Sequence, residues 1–269
     1  MFPTLALAAA LTLAPAQNPA LEISNARITF AGEFGPTRPD NKLLPGDVFF
    51  LAFDIDNLAL DPMGKAQYSI GMDVNDAAGK PIYSQKPIDQ DMVLPLGGNK
   101  LPARAYVTLG LDQAKGACNC KVTVTDRVTK ASKVVEKSFE VLEPAFGTVA
   151  FYSSSDERGD LPCPLSGVAG QAIWLNFFVV NFGRDPQTNA VNVTAEITVT
   201  DQAGKTSNAK PVLYTTLKTE KDTDRAIEHH IPLPMNRAGV FTVKLKTECK
   251  LTGKSYTMSF PVVVSPSPK

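Results

Sequence analysis

Two segments of the chain repeat one another, and this repeat constrains the fold more than any other feature. The first segment runs from Pro45 to Ile55, and the second from Ala169 to Val179 lies 124 positions later. In both, every second residue is large and apolar, so these side chains share one face of an extended segment. Alternation of this kind, rich in aromatic and β-branched residues, predicts a half-buried strand. The sequence therefore predicts a β-protein built twice.

The repeat continues beyond these strands, with one inserted residue. At an offset of 125, an apolar set in the first half matches an apolar set in the second: Tyr68, Ile70, Met72 and Val74 against Val193, Ala195, Ile197 and Val199. An offset of 124 would place polar residues against the apolar set, and a one-residue slip moves every side chain to the other face. Further on, Cys118 and Cys120 match Phe241 and Val243, and Ser138-Phe139 matches Ser259-Phe260.

About seven short strands are predicted in each half, with turn signals between them and no convincing amphipathic helix. The Pro45-Gly46 strand start, the Gly116–Asp126 strand and their copies resemble tandem immunoglobulin-like domains of exported bacterial proteins. The resemblance implies an all-β chain of two antiparallel β-sandwiches. The antibody arrangement of Cys, Trp and Cys is absent, since Trp174 lies on an early strand.

The pattern divides the chain into four parts. Residues 1–16 are predicted to be a signal peptide, because the apolar run Leu5–Leu13 is followed by small residues up to Ala16. Residues 20–143 and 145–264 are the two predicted domains, joined by a short linker at Pro144 that favours a fixed end-to-end arrangement. Residues 265–269 are predicted to be a disordered tail. A buried first strand or an interfacial anchor is the alternative for the apolar run.

Charge argues against two classes of partner. The chain has 27 basic and 27 acidic side chains, whereas binding to nucleic acid or to an anionic membrane requires a basic surface. Beyond the first residues, no stretch approaches the 18 apolar residues of a membrane helix. We therefore expect neither nucleic-acid binding nor an integral membrane segment in the mature chain.

The cysteines predict at most one bridge. Export permits disulfides, and Cys163 and Cys249 both fall in the second half, so a bond between them is the favoured pairing. Cys118 and Cys120 match apolar residues of the other half and are expected to be buried thiols. A metal site at this pair would need further ligands, and none lies near it in the sequence.

No residue pattern predicts catalysis, a metal or a cofactor. His229 and His230 are the only histidines, and neighbouring strand residues point to opposite faces. The Gly-x-Ser-x-Gly elbow of serine hydrolases and a glycine-rich phosphate loop are both missing from the sequence. Three pairs of carboxylates are expected to be solvated loop charges rather than calcium ligands: Asp54 and Asp56, Asp73 and Asp76, and Asp89 and Asp91.

Trp174 and Phe178 are the candidate ligand surface. By alternation they lie on the outer face of their strand, where aromatic rings form a sugar platform or a protein contact, unless the other domain or the long loop covers them. That loop contains Arg158-Gly159-Asp160, a tripeptide found in adhesion signals and equally explained by turn chemistry.

The sequence thus favours an exported, non-enzymatic interaction or structural module that is periplasmic, cell-surface or extracellular. Its expected partner is a protein or polysaccharide at the cell surface. The alternative is a carbohydrate-binding accessory module that uses the outward aromatic residues of the second domain.

Overall fold

Sixteen strands and no helix make up the part of the chain that the computed structural model describes, namely residues 20–30, 32, 35–219 and 224–267. The first half contains β1 (Glu22–Thr29), β2 (Lys42–Leu43), β3 (Val48–Asp56), β4 (Lys65–Asp76), β5 (Pro81–Val93), β6 (Lys100–Thr108), β7 (Gly116–Asp126) and β8 (Ser132–Val141). The second contains β9 (Gly147–Ser154), β10 (Ser166–Val168), β11 (Ala172–Val180), β12 (Ala190–Asp201), β13 (Val212–Thr219), β14 (Ala226–Pro234), β15 (Gly239–Cys249) and β16 (Ser255–Ser265).

The strands form two sandwiches with the same topology. In the first, the sheet β1-β3-β6 faces the sheet β2-β8-β7-β4-β5; in the second, β9, β11 and β14 face β10-β16-β15-β12-β13. Only the short strands β2 and β10 pair in parallel, with β8 and β16. This division of strands between a small and a large sheet is immunoglobulin-like. The predicted all-β fold of two antiparallel sandwiches is confirmed.

The repeat extends to details of the backbone. The first strand of each half, β1 or β9, has a bulge in its pairing with β3 or β11. A residue at each bulge has a left-handed backbone: Asn25 with φ 52° and Ala150 with φ 51°. Asn57 and Asn181, just after β3 and β11, match in the same way with φ 63° and 54°. Only a small fraction of non-glycine residues adopt positive φ, so these matched positions show that the two halves share one backbone design.

Burial follows the predicted faces. The inward residues of β3 are Phe49, Leu51, Phe53 and Ile55, and those of β11 are Ile173, Leu175, Phe177 and Val179; all are at most 4% exposed. The apolar set on β4 is buried, and so is most of the matching set on β12, which confirms the offset of 125. The buried residues are Tyr68, Ile70, Met72 and Val74 on β4, and Val193, Ala195 and Ile197 on β12. The two sets belong to separate hydrophobic cores, one in each sandwich.

The predicted count of about seven strands in each half agrees with the structure, which adds one short parallel strand of two or three residues within each predicted loop. Other local predictions were wrong. The strand β5 is 13 residues long where only a short return strand was predicted. Phe139 pairs with Cys118, and Val262 pairs with the matching Phe241, so Phe139 matches Val262 and not Phe260. That two-residue error keeps the same face, so alternation could not reveal it.

The structure bears on the predicted tail but not on the predicted signal peptide. The predicted signal peptide, residues 1–16, lies outside the described residues. Of the predicted tail, Ser265 belongs to β16, and Ser267 Oγ donates a hydrogen bond to the carbonyl of Ala169 at 2.6 Å. Order therefore extends at least to residue 267, and residues 268–269 are not described. Among the described residues, no helix has the length and apolar character needed to span a membrane.

Asp47 joins the two sandwiches. Its Oδ1 accepts a hydrogen bond from the backbone N–H of Ala150 at the β9 bulge, at 3.0 Å. Its Oδ2 accepts one from Arg38 at 2.8 Å, and both of these side chains are only 6% exposed. The Arg38 guanidinium also lies 4.5 Å from the centre of the Phe30 ring, which meets Phe151 of the second core edge-on. Residues of the first half thus complete the core of the second.

An apolar cluster surrounds this contact. From the first sandwich it takes Leu44, Leu111 and Leu142, and from the second Val149, Phe178, Val180 and Ala226. At its edge Arg225 and Asp112 form two hydrogen bonds of 2.7 Å, although both side chains are largely exposed. We call this set, with Asp47 and Arg38, the junction. Its buried polar and apolar contacts favour the fixed arrangement expected from the short linker.

Candidate functional site

The outer face of the sheet formed by β9, β11 and β14 carries a row of polar and aromatic side chains. Asn176 lies opposite Tyr152 on one side and His230 on the other. Two residues earlier on β11, and on the same face, Trp174 lies opposite Ser154 on β9 and Pro232 on β14. Directly opposite residues share a face, so these side chains project together from one surface. We call this surface the Trp174 face.

Hydrogen bonds fix the polar part of the Trp174 face. Asn176 is 1% exposed, and its Nδ2 donates to Ser154 Oγ at 2.7 Å. Its Oδ1 lies 2.7 Å from His230 Nδ1, and because an amide oxygen only accepts, Nδ1 carries the proton. His230 Nε2 then lies 3.4 Å from Glu228 Oε1. The buried amide is satisfied on both sides, which holds the imidazole in one orientation.

This arrangement suits binding better than nucleophilic chemistry. Ser154 is fully buried, and its hydroxyl donates to the carbonyl of Asp156 at 2.6 Å. His230 contacts Asn176 and not the serine, so it does not activate the hydroxyl as a general base. The half-buried Trp174 and the imidazole diagonally across from it instead offer a ring to stack on and a polar group to bind.

The structure separates the two aromatic residues that the sequence proposed as one surface. Trp174 and Phe178 both project from the outer face of β11, as the alternation predicts, and both are half-buried. Phe178 packs in the junction cluster, which residues of both sandwiches form, and this is the covered arrangement that the sequence left open. Trp174 alone remains on the candidate surface.

Sequence reasoning missed Tyr152, Asn176 and His230 as companions of Trp174. The two histidines do face opposite ways, since His229 is 7% exposed and stacks on Phe177 with ring centres 5.0 Å apart. Nothing in the local sequence shows that β14 pairs with β11, which is what brings His230 next to Asn176. The alternation of the segment around Ile227 and Ile231 was the signal that placed His230 outward.

The loop between β9 and β10 borders the Trp174 face. Gly159 lies so close to Tyr152 that a Cβ there would meet the phenol oxygen at 2.2 Å. The loop is closed by Asp156, whose carboxylate accepts hydrogen bonds from the N–H groups of Asp160 and Leu161 at 3.2 and 2.7 Å. The exposed Arg158 and Asp160 therefore flank a fixed turn, as the turn chemistry of this tripeptide allows.

The predicted bridge between Cys163 and Cys249 is not formed, and both residues are free thiols. Cys163 N–H donates to Ser153, which pairs with Leu175, whereas Cys249 Sγ accepts from the N–H of Gly183. Leu175 lies five positions before Val180, where β11 ends, and Gly183 follows that end, so at about 3.3 Å per residue the strand separates the two by roughly 16 Å. The thiols thus lie at opposite ends of the sheet, beyond the reach of a disulfide.

The other candidate ligands also have local partners. Lys100 Nζ lies 3.4 Å from Asp54 Oδ2 and 3.1 Å from Asp56 Oδ1. Arg127 pairs with both Asp89 and Asp91. No group of three or more His, Cys, Asp or Glu residues suited to a metal ion occurs among the described residues. Burial raises the pKa of Cys120 to about 12, with a further contribution from Asp73, which keeps that thiol protonated.

Comparison with known proteins identifies no family. No family model and no curated protein matches the chain. Among solved structures, the C-terminal domain of the Streptococcus agalactiae antigen I/II polypeptide BspA aligns over 90% of this chain and 100% of its own, with 8% identity and a TM-score of 0.31. The C-terminal domain of the Streptococcus pyogenes antigen I/II-family protein AspA aligns over 91% of this chain and 100% of its own, with 8% identity and a TM-score of 0.30.

A third structure illustrates how general this similarity is. The Pseudomonas fluorescens alkylpurine DNA glycosylase AlkC, bound to DNA with an abasic site analog, aligns over 46% of this chain and 30% of its own, with 13% identity and a TM-score of 0.30. Likeness at this level to proteins of such different kinds gives no basis for assigning a function. The function of this chain is therefore inferred from its own surfaces.

Proposed function

We propose that this chain is an exported, non-enzymatic binding protein whose two joined sandwiches present the Trp174 face to a partner at the cell surface. The observation that carries the proposal is the hydrogen-bonded row from Ser154 through Asn176 to His230 beside a half-buried tryptophan. Such a row is oriented before any ligand arrives, and preorganisation of this kind reduces the entropy lost on binding.

The junction supports a scaffold role for the first sandwich. Asp47 and Arg38 are buried, and their contacts hold the β9 bulge next to the start of the Trp174 face. A rigid β framework places recognition on its loops and sheet faces. The first sandwich would then stabilise the second and hold the Trp174 face in a fixed orientation.

Carbohydrate is the second candidate ligand, and one observation favours it. His230 lies diagonally across from Trp174 on the neighbouring strand, and its imidazole contacts the carboxylate of Glu228, which lies opposite Phe178. A ring for stacking with hydrogen-bonding groups at its edge suits a sugar, whose faces are apolar and whose rim carries hydroxyls. A flat apolar protein contact would not need the two polar groups.

The test compares Trp174→Ala with a matched variant in the other half. The residue at the equivalent position of β3 is Phe50, which packs on Tyr106 at 5.3 Å between ring centres. The variants are screened on immobilised cell-surface polysaccharides and on intact envelope proteins. We expect Trp174→Ala to lose binding and Phe50→Ala to keep it. Equal binding by both variants and the wild type would refute the Trp174 face as the binding surface.

Export is tested separately. Fractionation of the producing cell, followed by N-terminal sequencing of the mature protein, should find it outside the cytoplasm and beginning just after Ala16. Recovery of the intact chain from the cytoplasm would contradict the proposed export without bearing on the binding surface.

A further inference from the structure

Each sandwich is open along one side, because a five-stranded sheet faces a three-stranded one. In the second sandwich the opening lies between the sheet edges β13 and β14 and leads into a cleft of about 600 Å3. The matching opening of the first sandwich, between β5 and β6, is a cleft of about 450 Å3. Both volumes fall in the range of small-molecule sites.

The two clefts differ in what lines them. The cleft of the first sandwich contains Gln85 and Gln90, and the latter accepts a hydrogen bond from the Tyr68 hydroxyl at 2.9 Å. The cleft of the second is lined mainly by apolar side chains, among them Leu233, Met235, Phe241, Val243 and Val264. Burying apolar area is favourable by about 25 cal/mol per Å2, so the second cleft suits an apolar guest.

One arginine lies at the mouth of the second cleft. Arg237 lines it, with its guanidinium 5.1 Å from the centre of the Phe241 ring. Its NH2 is 3.7 Å from Asp201 Oδ2, longer than a direct charge-assisted hydrogen bond of about 2.8 Å. The loop that brings Ser207 to the cleft also carries two exposed lysines, Lys205 and Lys210. An apolar interior with an arginine at its mouth is complementary to an amphiphile with an anionic head.

The edge of β14 disfavours a peptide as the guest. Pro232 and Pro234 both lie on this edge strand and line the cleft. Proline has no backbone N–H, so an incoming strand would find two donors missing along the free edge. A flexible apolar chain needs no backbone partners and avoids this loss.

We propose that the cleft of the second sandwich binds a long-chain carboxylate, with the hydrocarbon chain between the two sheets and the carboxylate at Arg237. The guanidinium presents paired N–H donors whose geometry matches a carboxylate. This site borders the Trp174 face at Pro232, but its apolar interior lies between the two sheets, whereas the Trp174 face is the outer side of the smaller sheet. The inference does not depend on the function proposed above.

The chain provides its own probe for this site. Trp174 is the single tryptophan, and it lies directly opposite Pro232, which lines the cleft. A conjugated polyene fatty acid such as cis-parinaric acid is titrated into the full chain, with excitation of Trp174. We expect saturable, equimolar binding with energy transfer from the tryptophan. Arg237→Gln should weaken binding by about tenfold, since a hydrogen-bonded charge contributes on that scale.

Two controls separate a specific site from general adsorption. Arg104→Gln alters the arginine that lines the cleft of the first sandwich and should leave the affinity unchanged. An alkyl trimethylammonium of matched chain length should not compete with the polyene acid. Because 58% of the Arg237 side chain is exposed, Arg237→Gln should fold normally, which thermal unfolding verifies. Unchanged affinity of a folded Arg237→Gln, or equal competition by the cationic amphiphile, would overturn the proposal.

Discussion

Cys249 occupies in the second sandwich the position that Asp126 occupies in the first. Asp126 lies opposite Tyr68 on β4, and Cys249 lies opposite the matching Val193 on β12. Asp126 Oδ2 accepts the backbone N–H of Ala59 at 2.9 Å. Cys249 Sγ accepts the N–H of Gly183, the residue that matches Ala59, at 3.4 Å. A sulfur atom therefore replaces a carboxylate as the acceptor that holds the loop after β11.

This position makes the stability of the chain depend on pH through Cys249. Burial raises the pKa of Cys249, but hydrogen bonds from Thr252, Gly183 and Leu251 outweigh it, so the pKa lies below its ordinary value. A depressed folded pKa contributes stability that is present above the unfolded pKa and lost as pH falls through the folded one. We expect the urea midpoint of reduced wild type, relative to Cys249→Ala, to rise from about pH 7 to about pH 9.

Cys120→Ala is the matched control for that measurement. The pKa of Cys120 is raised to about 12, by burial first and then by Asp73, so its contribution has the opposite sign. The unfolded thiol ionises first, and the contribution falls as pH rises above the unfolded pKa. Parallel pH profiles for the two alanine variants would show that Cys249 is not an acceptor in the folded state.

Asp47→Ala should strongly destabilise the chain. The substitution leaves the guanidinium of Arg38 buried without its carboxylate and removes the acceptor for the N–H of Ala150. Breaking a buried pair in this way costs about 3–5 kcal/mol of unfolding free energy. Equilibrium denaturation measures it, and the Arg38→Met/Asp47→Leu double variant should recover part of the loss. Asp112→Ala, which removes the exposed junction pair with Arg225, should change little.

Gly147→Ala should loosen the junction without touching a polar contact. A Cβ at Gly147 would lie 2.2 Å from Leu44 Cδ1, and Leu44 is 7% exposed within the junction cluster. Leu44 must shift in a packed site, which costs about 1–3 kcal/mol. Gly110→Ala is the control, because the nearest atom to its Cβ would be 4.0 Å away. Equal unfolding free energies for the two variants would contradict the tight contact, and small-angle scattering should show a wider range of domain separations for Gly147→Ala alone.

The cysteines should react in a defined order. Cys163 is partly exposed, whereas Cys118, Cys120 and Cys249 are at most 3% exposed. The pKa of Cys163 is raised, mainly by burial, so its alkylation should be slow near neutral pH and faster above pH 9. Mass spectrometry of the native protein should find one modified cysteine, at 163, and four after unfolding. A native chain with Cys163 and Cys249 linked would restore the disulfide that the sequence suggested.

The Trp174 face shows where sequence reasoning stops. Alternation placed Trp174 on an outer face, because the direction of a strand side chain depends only on its position within the strand. It did not show that Phe178, on the same face, would pack in the junction cluster, which residues of both sandwiches form. The local pattern is identical for both residues. Only the arrangement of the two sandwiches distinguishes them.

By itself the sequence determined that this is a duplicated β-protein, which residues face each core and where the offset between the copies changes. Those properties follow from a period of two along each strand and from the cost of turning an apolar residue toward water. Tertiary structure decided that Asp47 binds the second sandwich, that Cys163 and Cys249 lie apart, and that Asn176 and His230 join Trp174. Each of these depends on which strands become neighbours, and contacts between residues distant in the chain leave no periodic signal within either segment.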